Sequence, residues 1–144
     1  MNISIIEGPL RIELYGLSDT VENYTYGPTG QRLMGQLDAK MKAGGFSPSG
    51  TCMWVYEADE AIFTGFVFDS VPADSGLEHK VIELPRYALY KHIGPYDQLG
   101  QVHDQLSKEL ESQGIERLYP SIERYNIWDT DPSKLETDVI TNIG

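Results

Sequence analysis

The 144-residue chain has a single cysteine, Cys52, few basic side chains and no long apolar run. One thiol excludes an intrachain disulfide, and nothing near it has zinc-ligand spacing, so a reducing, cytoplasmic setting is expected. Lysine and arginine number 11 against 22 acidic residues, a net charge of −11. Such a chain repels a phosphate backbone and has no basic stripe, which excludes nucleic acid as a direct partner. No segment approaches the roughly 18 consecutive apolar residues of a membrane span. The start, "MNISIIEGPLRIELYG", lacks a basic region, an apolar core and a small-residue cleavage site, so neither export nor a membrane partner is expected. His79, His92 and His103 fall on separate elements without metal-ligand spacing, and neither metal nor cofactor is expected. "GPTGQR" lacks the Lys-Ser/Thr of a phosphate-binding loop.

What is present suits one α+β domain over residues 1–144, with 40% hydrophobic and 10% aromatic content to build its core. Alternating apolar and polar residues predict a strand in "LRIELYGL", Leu10 to Leu17. Leu33, Met34, Leu37 and Met41 recur at helical spacing, and Gly44 or Gly45 is placed to end that helix. "TCMWVYEA" and "AIFTGFVFDSV" read as strands joined at Ala58 to Glu60. After the loop "PADSGLEHK" the order recurs: the strand "RYALYKHI", a helix with Leu99, Val102, Leu106 and Leu110 as its stripe, then "SIERYNIW" and "ETDVITNI" around Pro132. Asp97 is the expected N-cap of the second helix and Gly114 its C′ residue.

The halves superpose in sequence. An offset of 69 residues carries Gly45 onto Gly114, Leu37 onto Leu106, Met41 onto Leu110, Trp54 onto Glu123 and Tyr56 onto Tyr125. A matched helix stripe, helix stop and strand tyrosine in one register predict duplicated β-α-β-β repeats, about 1–75 and 76–144. The expected product is two four-stranded antiparallel units, each with one covering helix, about a pseudo-twofold axis, with a ligand groove between the repeats.

The order His92-Ile93-Gly94-Pro95-Tyr96, Gly114, Pro120-Ser121-Ile122-Glu123-Arg124-Tyr125, Asp131-Pro132 and Thr137-Asp138-Val139 resembles the second half of the GyrI-like small-molecule-binding domain. That domain also serves as the effector-binding module of multidrug-sensing AraC-type and MerR-type transcription regulators. The resemblance covers roughly residues 84–143 and is weak before them, where "SDTVENYTYGPTG" makes a longer strand-to-helix connection. It implies binding of lipophilic, often cationic or aromatic small molecules in the groove, with Glu123 at its floor.

Strand alternation puts Glu123, Tyr125 and Ile127 on one face of their strand, and Cys52, Trp54 and Tyr56 together on another. A carboxylate framed by Trp54, Tyr56, Tyr125 and Tyr90 suits a planar cation, since each ring contact contributes about 0.5–2 kcal/mol and neither term requires close shape matching. Tyr125, two residues along the same strand, is expected to reach Glu123 poorly, leaving Tyr90, Tyr87 or a water to hold it. The bland alternative places Glu123 on an exposed edge, paired with Arg124 or Lys91.

The leading expectation is a stand-alone sensor or sequestering protein that is not an enzyme, with a transcriptional role requiring a partner regulator chain; an exposed edge strand also allows a homodimer. The resemblance carries two alternatives. One is a hydrolase of strained or electrophilic molecules in which Glu123 activates water and Tyr90 or Tyr125 protonates the leaving atom. The other is a gyrase-inhibitor-like protein.

Overall fold

In the computed structural model, which describes residues 1–144, the first strand of each repeat is far longer than the sequence indicates, by nine residues in the first repeat and eight in the second. The elements are β1 (Ser4–Thr20), α1 (Tyr26–Gly44), β2 (Cys52–Glu57), β3 (Ala61–Phe66), β4 (Glu78–Ile93), α2 (Leu99–Ser112), β5 (Leu118–Ile127) and β6 (Glu136–Asn142). The class is α+β, and β-α-β-β occurs twice in chain order. No helix is long and apolar enough to cross a membrane.

Contacts group the chain into two compact units, Arg11–Ile82 and Met1–Leu10 with Glu83–Gly144. Both boundaries fall inside strands, since β1 has 17 residues and β4 has 16, and each contributes to both units. Every unit thus holds four strand segments and one helix.

In the 11–82 unit the strand order is β1-β3-β2, antiparallel, with Leu17 opposite Thr64 and Thr64 opposite Trp54. Helix α1 lies on the Trp54 face. Gly30 meets the Trp54 ring, Arg32 pairs with Asp19, and Tyr26 packs edge-on to Tyr56 at 5.0 Å between ring centres. Gly30, Leu33 and Leu37 are the buried helix residues, while Met34 and Met41 of the expected stripe flank them half-buried. The helix stops at Gly45, whose φ of +67° suits glycine and whose N–H returns to Lys42.

In the other unit the order is β4-β6-β5, again antiparallel. Leu99, Val102, Leu106 and Leu110 of α2 pack with Ala88, Val139 and Ile143 into one core, which Ile3 of β1 also touches. Each buried aliphatic there contributes about 1.5–3 kcal/mol. Gly114, at φ +70°, follows the helix as expected. Asp97 is not the N-cap: it lies inside a 3₁₀ turn, Tyr96–Gln98, that leads into α2 from Gln98, and no side chain caps the helix. Pro95 holds an extended conformation and sets up that turn, which satisfies the first amides by tightening the coil.

Candidate functional site

Cross-strand partners in an antiparallel pair share a sheet face. In the unit containing α2, Tyr90 lies opposite Val139 and Val139 opposite Glu123, so these three form one row across β4, β6 and β5. Val139 belongs to the core beneath α2, which puts Glu123 on the helix-covered face. Its offset partner Trp54 likewise faces its own helix, α1. The position therefore carries a large ring in one repeat and a carboxylate in the other.

Glu123 is only 5% exposed. An isolated buried carboxylate is costly, so its donors decide whether it persists. Two are evident. The Tyr125 hydroxyl donates to Oε1 at 2.6 Å, and His103 Nε2 lies 2.7 Å from Oε2. The expectation that Tyr125 reaches Glu123 poorly is overturned. Side chains lean along a strand, and a phenol is long enough to span one two-residue repeat of about 7 Å. Tyr96 braces the ring edge-on at 5.4 Å. Tyr90 is half-buried against the α2 core, with Val139 standing between it and Glu123, and Tyr125 and His103 occupy the role assigned to Tyr90, Tyr87 or water.

Arg124 and Lys91 serve the opposite face. Arg124 donates to Asp138 Oδ2 at 2.7 Å and Lys91 lies 3.2 Å from Glu136, so neither is the surface partner of Glu123. Both faces of β5 are covered, since Ile122 is fully buried.

Behind His103 stands Arg117. Its guanidinium donates to His103 Nδ1 (2.8 Å), the His103 carbonyl (2.9 Å), Ser107 Oγ (2.7 Å), Ser121 Oγ (2.8 Å) and Thr141 Oγ1 (3.0 Å). All five N–H groups are used, and none of these acceptors is a carboxylate. Burial holds the Arg117 pKa below the usual guanidinium range, with Tyr119 and Asp104 opposing; a shift from so high a value leaves it charged at neutral pH.

Sequence reasoning missed His103 and Arg117. His103 entered only as a histidine without metal-ligand spacing, Arg117 in "GIERLYP" has no local signal, and the tie to Glu123 is purely tertiary. The placement of His103 and Ser107 four apart on one flank of α2 was the available signal. His92 is buried and its Nε2 lies 3.1 Å from the Pro95 carbonyl, a turn-holding contact.

Trp54 (8% exposed) and Tyr56 sit in the 11–82 unit, in the packing with α1 described above. That unit also has an open cleft of about 270 Å³ between Asp19, Glu57, Phe63, Glu78, His79 and Lys80. Its charges are engaged: Lys80 with Glu57, Asp19 with Arg32, and Glu78 with Ser18. No group of three or more His, Cys, Asp or Glu side chains is placed to hold a metal ion.

A family model for the GyrI-like small molecule binding domain matches residues 18–143. The chain belongs to that family. Among solved structures, this GyrI-like domain resembles the C-terminal domain of EcmrR (20% identity, 99% of this chain and 97% of that one, TM-score 0.74). It also resembles SAV2435 bound to tetraphenylphosphonium (16%, 100% and 94%, TM-score 0.64) and a hydrolase from Listeria innocua (12%, 99% and 91%, TM-score 0.53). At these identities the likeness establishes the fold. No curated protein sequence matches the chain.

Proposed function

We propose that this GyrI-like domain binds lipophilic organic cations, with the Glu123 carboxylate as the charged anchor, and acts as an effector sensor or sequestering protein. The observation that carries the reading is a carboxylate buried to 5% exposure and oriented by Tyr125 and His103 on the helix-covered face of its sheet. Burial makes a charge without a counterion costly, and a bound cation lowers that cost while a hydrated one in bulk water does not. Tyr125 and Tyr90, in the unit that carries Glu123, are the proposed aromatic contacts, offering π faces that suit delocalised cations. Support also comes from SAV2435, a structural neighbour that holds tetraphenylphosphonium. A regulatory role would need a DNA-reading element outside these 144 residues, given their net charge of −11.

The test is calorimetric titration with tetraphenylphosphonium and with neutral triphenylphosphine oxide, on wild type and Glu123→Gln. The cation is expected to bind the wild type and to weaken about tenfold to hundredfold in the variant, as loss of one charge-assisted contact of about 1.5–3 kcal/mol implies. The neutral compound is expected to be indifferent to the substitution. Equal cation affinity in both proteins refutes the anchor role, and consumption of a neutral electrophile by wild type alone would make Glu123 a hydrolytic base instead.

A further inference from the structure

The Arg117–His103–Glu123 chain fixes the direction of every hydrogen bond in it. A guanidinium only donates, so His103 Nδ1, 2.8 Å from Arg117 Nη2, must accept and carries no proton. The imidazole is then neutral with its proton on Nε2, and that proton is donated to Glu123 Oε2 at 2.7 Å. Glu123 accepts from both sides, from His103 on Oε2 and from Tyr125 on Oε1. Arg117 cannot swing away, because its remaining N–H groups are held by α2 through the His103 carbonyl and Ser107, by β5 through Ser121 and by β6 through Thr141. Ser121 and Thr141 are themselves cross-strand partners and share a hydrogen bond of 2.9 Å.

We propose that Arg117 and His103 are positioning residues for the ligand-binding carboxylate: Arg117 locks His103 in its Nε2–H tautomer, and His103 holds Glu123 accepting and correctly turned before a cation arrives. This rests on the reading of Glu123 as the cation anchor. Pre-setting the carboxylate removes an ordering cost from binding, which is how a second layer of side chains strengthens a site it never touches. Arg117 also places a positive charge one imidazole behind the carboxylate, which offsets part of its burial cost and leaves the rest for a bound cation.

Two measurements test it. The first is ¹⁵N NMR of the histidine side chains without ligand, with His103 assigned by its loss in His103→Gln. The Nε2–H tautomer is expected in wild type, and scrambling between tautomers in Arg117→Met. An Nδ1–H tautomer or a doubly protonated ring at neutral pH in wild type overturns the proposal, whether or not Arg117→Met folds. The second compares tetraphenylphosphonium affinity in His103→Leu, which removes the donor, and His103→Gln, whose amide can still donate to Oε2. A loss of about tenfold in the leucine variant, largely restored in the glutamine variant, is expected. Wild-type affinity in His103→Leu, alongside weakened binding in Glu123→Gln, overturns the positioning role while leaving the anchor intact. If Glu123→Gln itself binds normally, the anchor reading fails, and the NMR result still decides whether Arg117 sets the tautomer.

Discussion

Two glycines on one helix separate backbone propensity from packing. Gly30 and Gly35 both lie within α1, and replacing either with alanine gains about 1 kcal/mol of helix propensity. At exposed Gly35 a new Cβ meets nothing within 4 Å, so the whole gain is expected to appear as stability. At Gly30 the same atom would stand 2.3 Å from two Trp54 ring carbons and 2.9 Å from a third. Carbon contacts settle near 3.5–4.0 Å, so ring and helix must part by about 1.2 Å. Trp54 is rigid and buried, and forced separation of this kind costs about 1–3 kcal/mol. Gly30→Ala is therefore expected to be neutral to about 2 kcal/mol destabilising, and Gly35→Ala about 1 kcal/mol stabilising. Urea unfolding followed by circular dichroism measures both, with equal denaturant slopes confirming that the unfolded state is unchanged. Trp54→Phe shortens the ring, so the Gly30→Ala penalty should shrink in that background. If both alanines shift stability alike in wild type, the close helix–indole contact is refuted.

Arg117→Met removes five hydrogen bonds, two of them to the buried Ser121 and Thr141 hydroxyls, so chemical denaturation should show a loss of about 3 kcal/mol. Tyr125→Phe keeps the ring against Tyr96 but deletes the donor to Oε1; tetraphenylphosphonium affinity should fall several-fold in calorimetry, less than in Glu123→Gln. Burial pushes the Cys52 thiol from 9.0 up to about 12, so iodoacetamide at pH 8 should alkylate it far more slowly in the native than in the unfolded chain, as mass spectrometry would show. Because the folded value is raised, this thiol's contribution to stability is complete below pH 9 and declines as pH climbs from 9.0 toward 12, which unfolding curves across that window would reveal.

Element order, both helix stripes, the glycine stops at Gly45 and Gly114 and the special position of Glu123 were legible in the sequence because each rests on local spacing or one unusual residue in an apolar strand. Strand length was not. "IIEGPL" interrupts alternation with Gly8 and Pro9, and "EHKVIELP" mixes charged and apolar residues on both faces, Glu78 and Lys80 on one and Glu83 on the other, so β1 and β4 looked shorter than they are. Gly8 is retained there because a Cβ would come within 2.4 Å of the Leu84 carbonyl, a constraint of strand proximity that composition cannot announce. The Arg117–His103 pair was invisible for a different reason. Its members derive their meaning from one another across α2, β5 and β6, and no spacing rule connects a helix flank to a loop arginine.

The assignment of Met1–Leu10 to the same unit as Glu83–Gly144 bears on how the chain is made. The first ten residues are made before any of residues 83–144, yet Ile3 packs against a core built from residues 88–143. At ordinary synthesis rates they wait on the order of ten seconds for their partners. Residues 11–82 meet no such delay, since all their unit's strands have emerged before β4 is half made. Of the two units, the one bearing Glu123 is thus the second to be completed, and the β1 segment that belongs to it lacks its core until the later strands have been made.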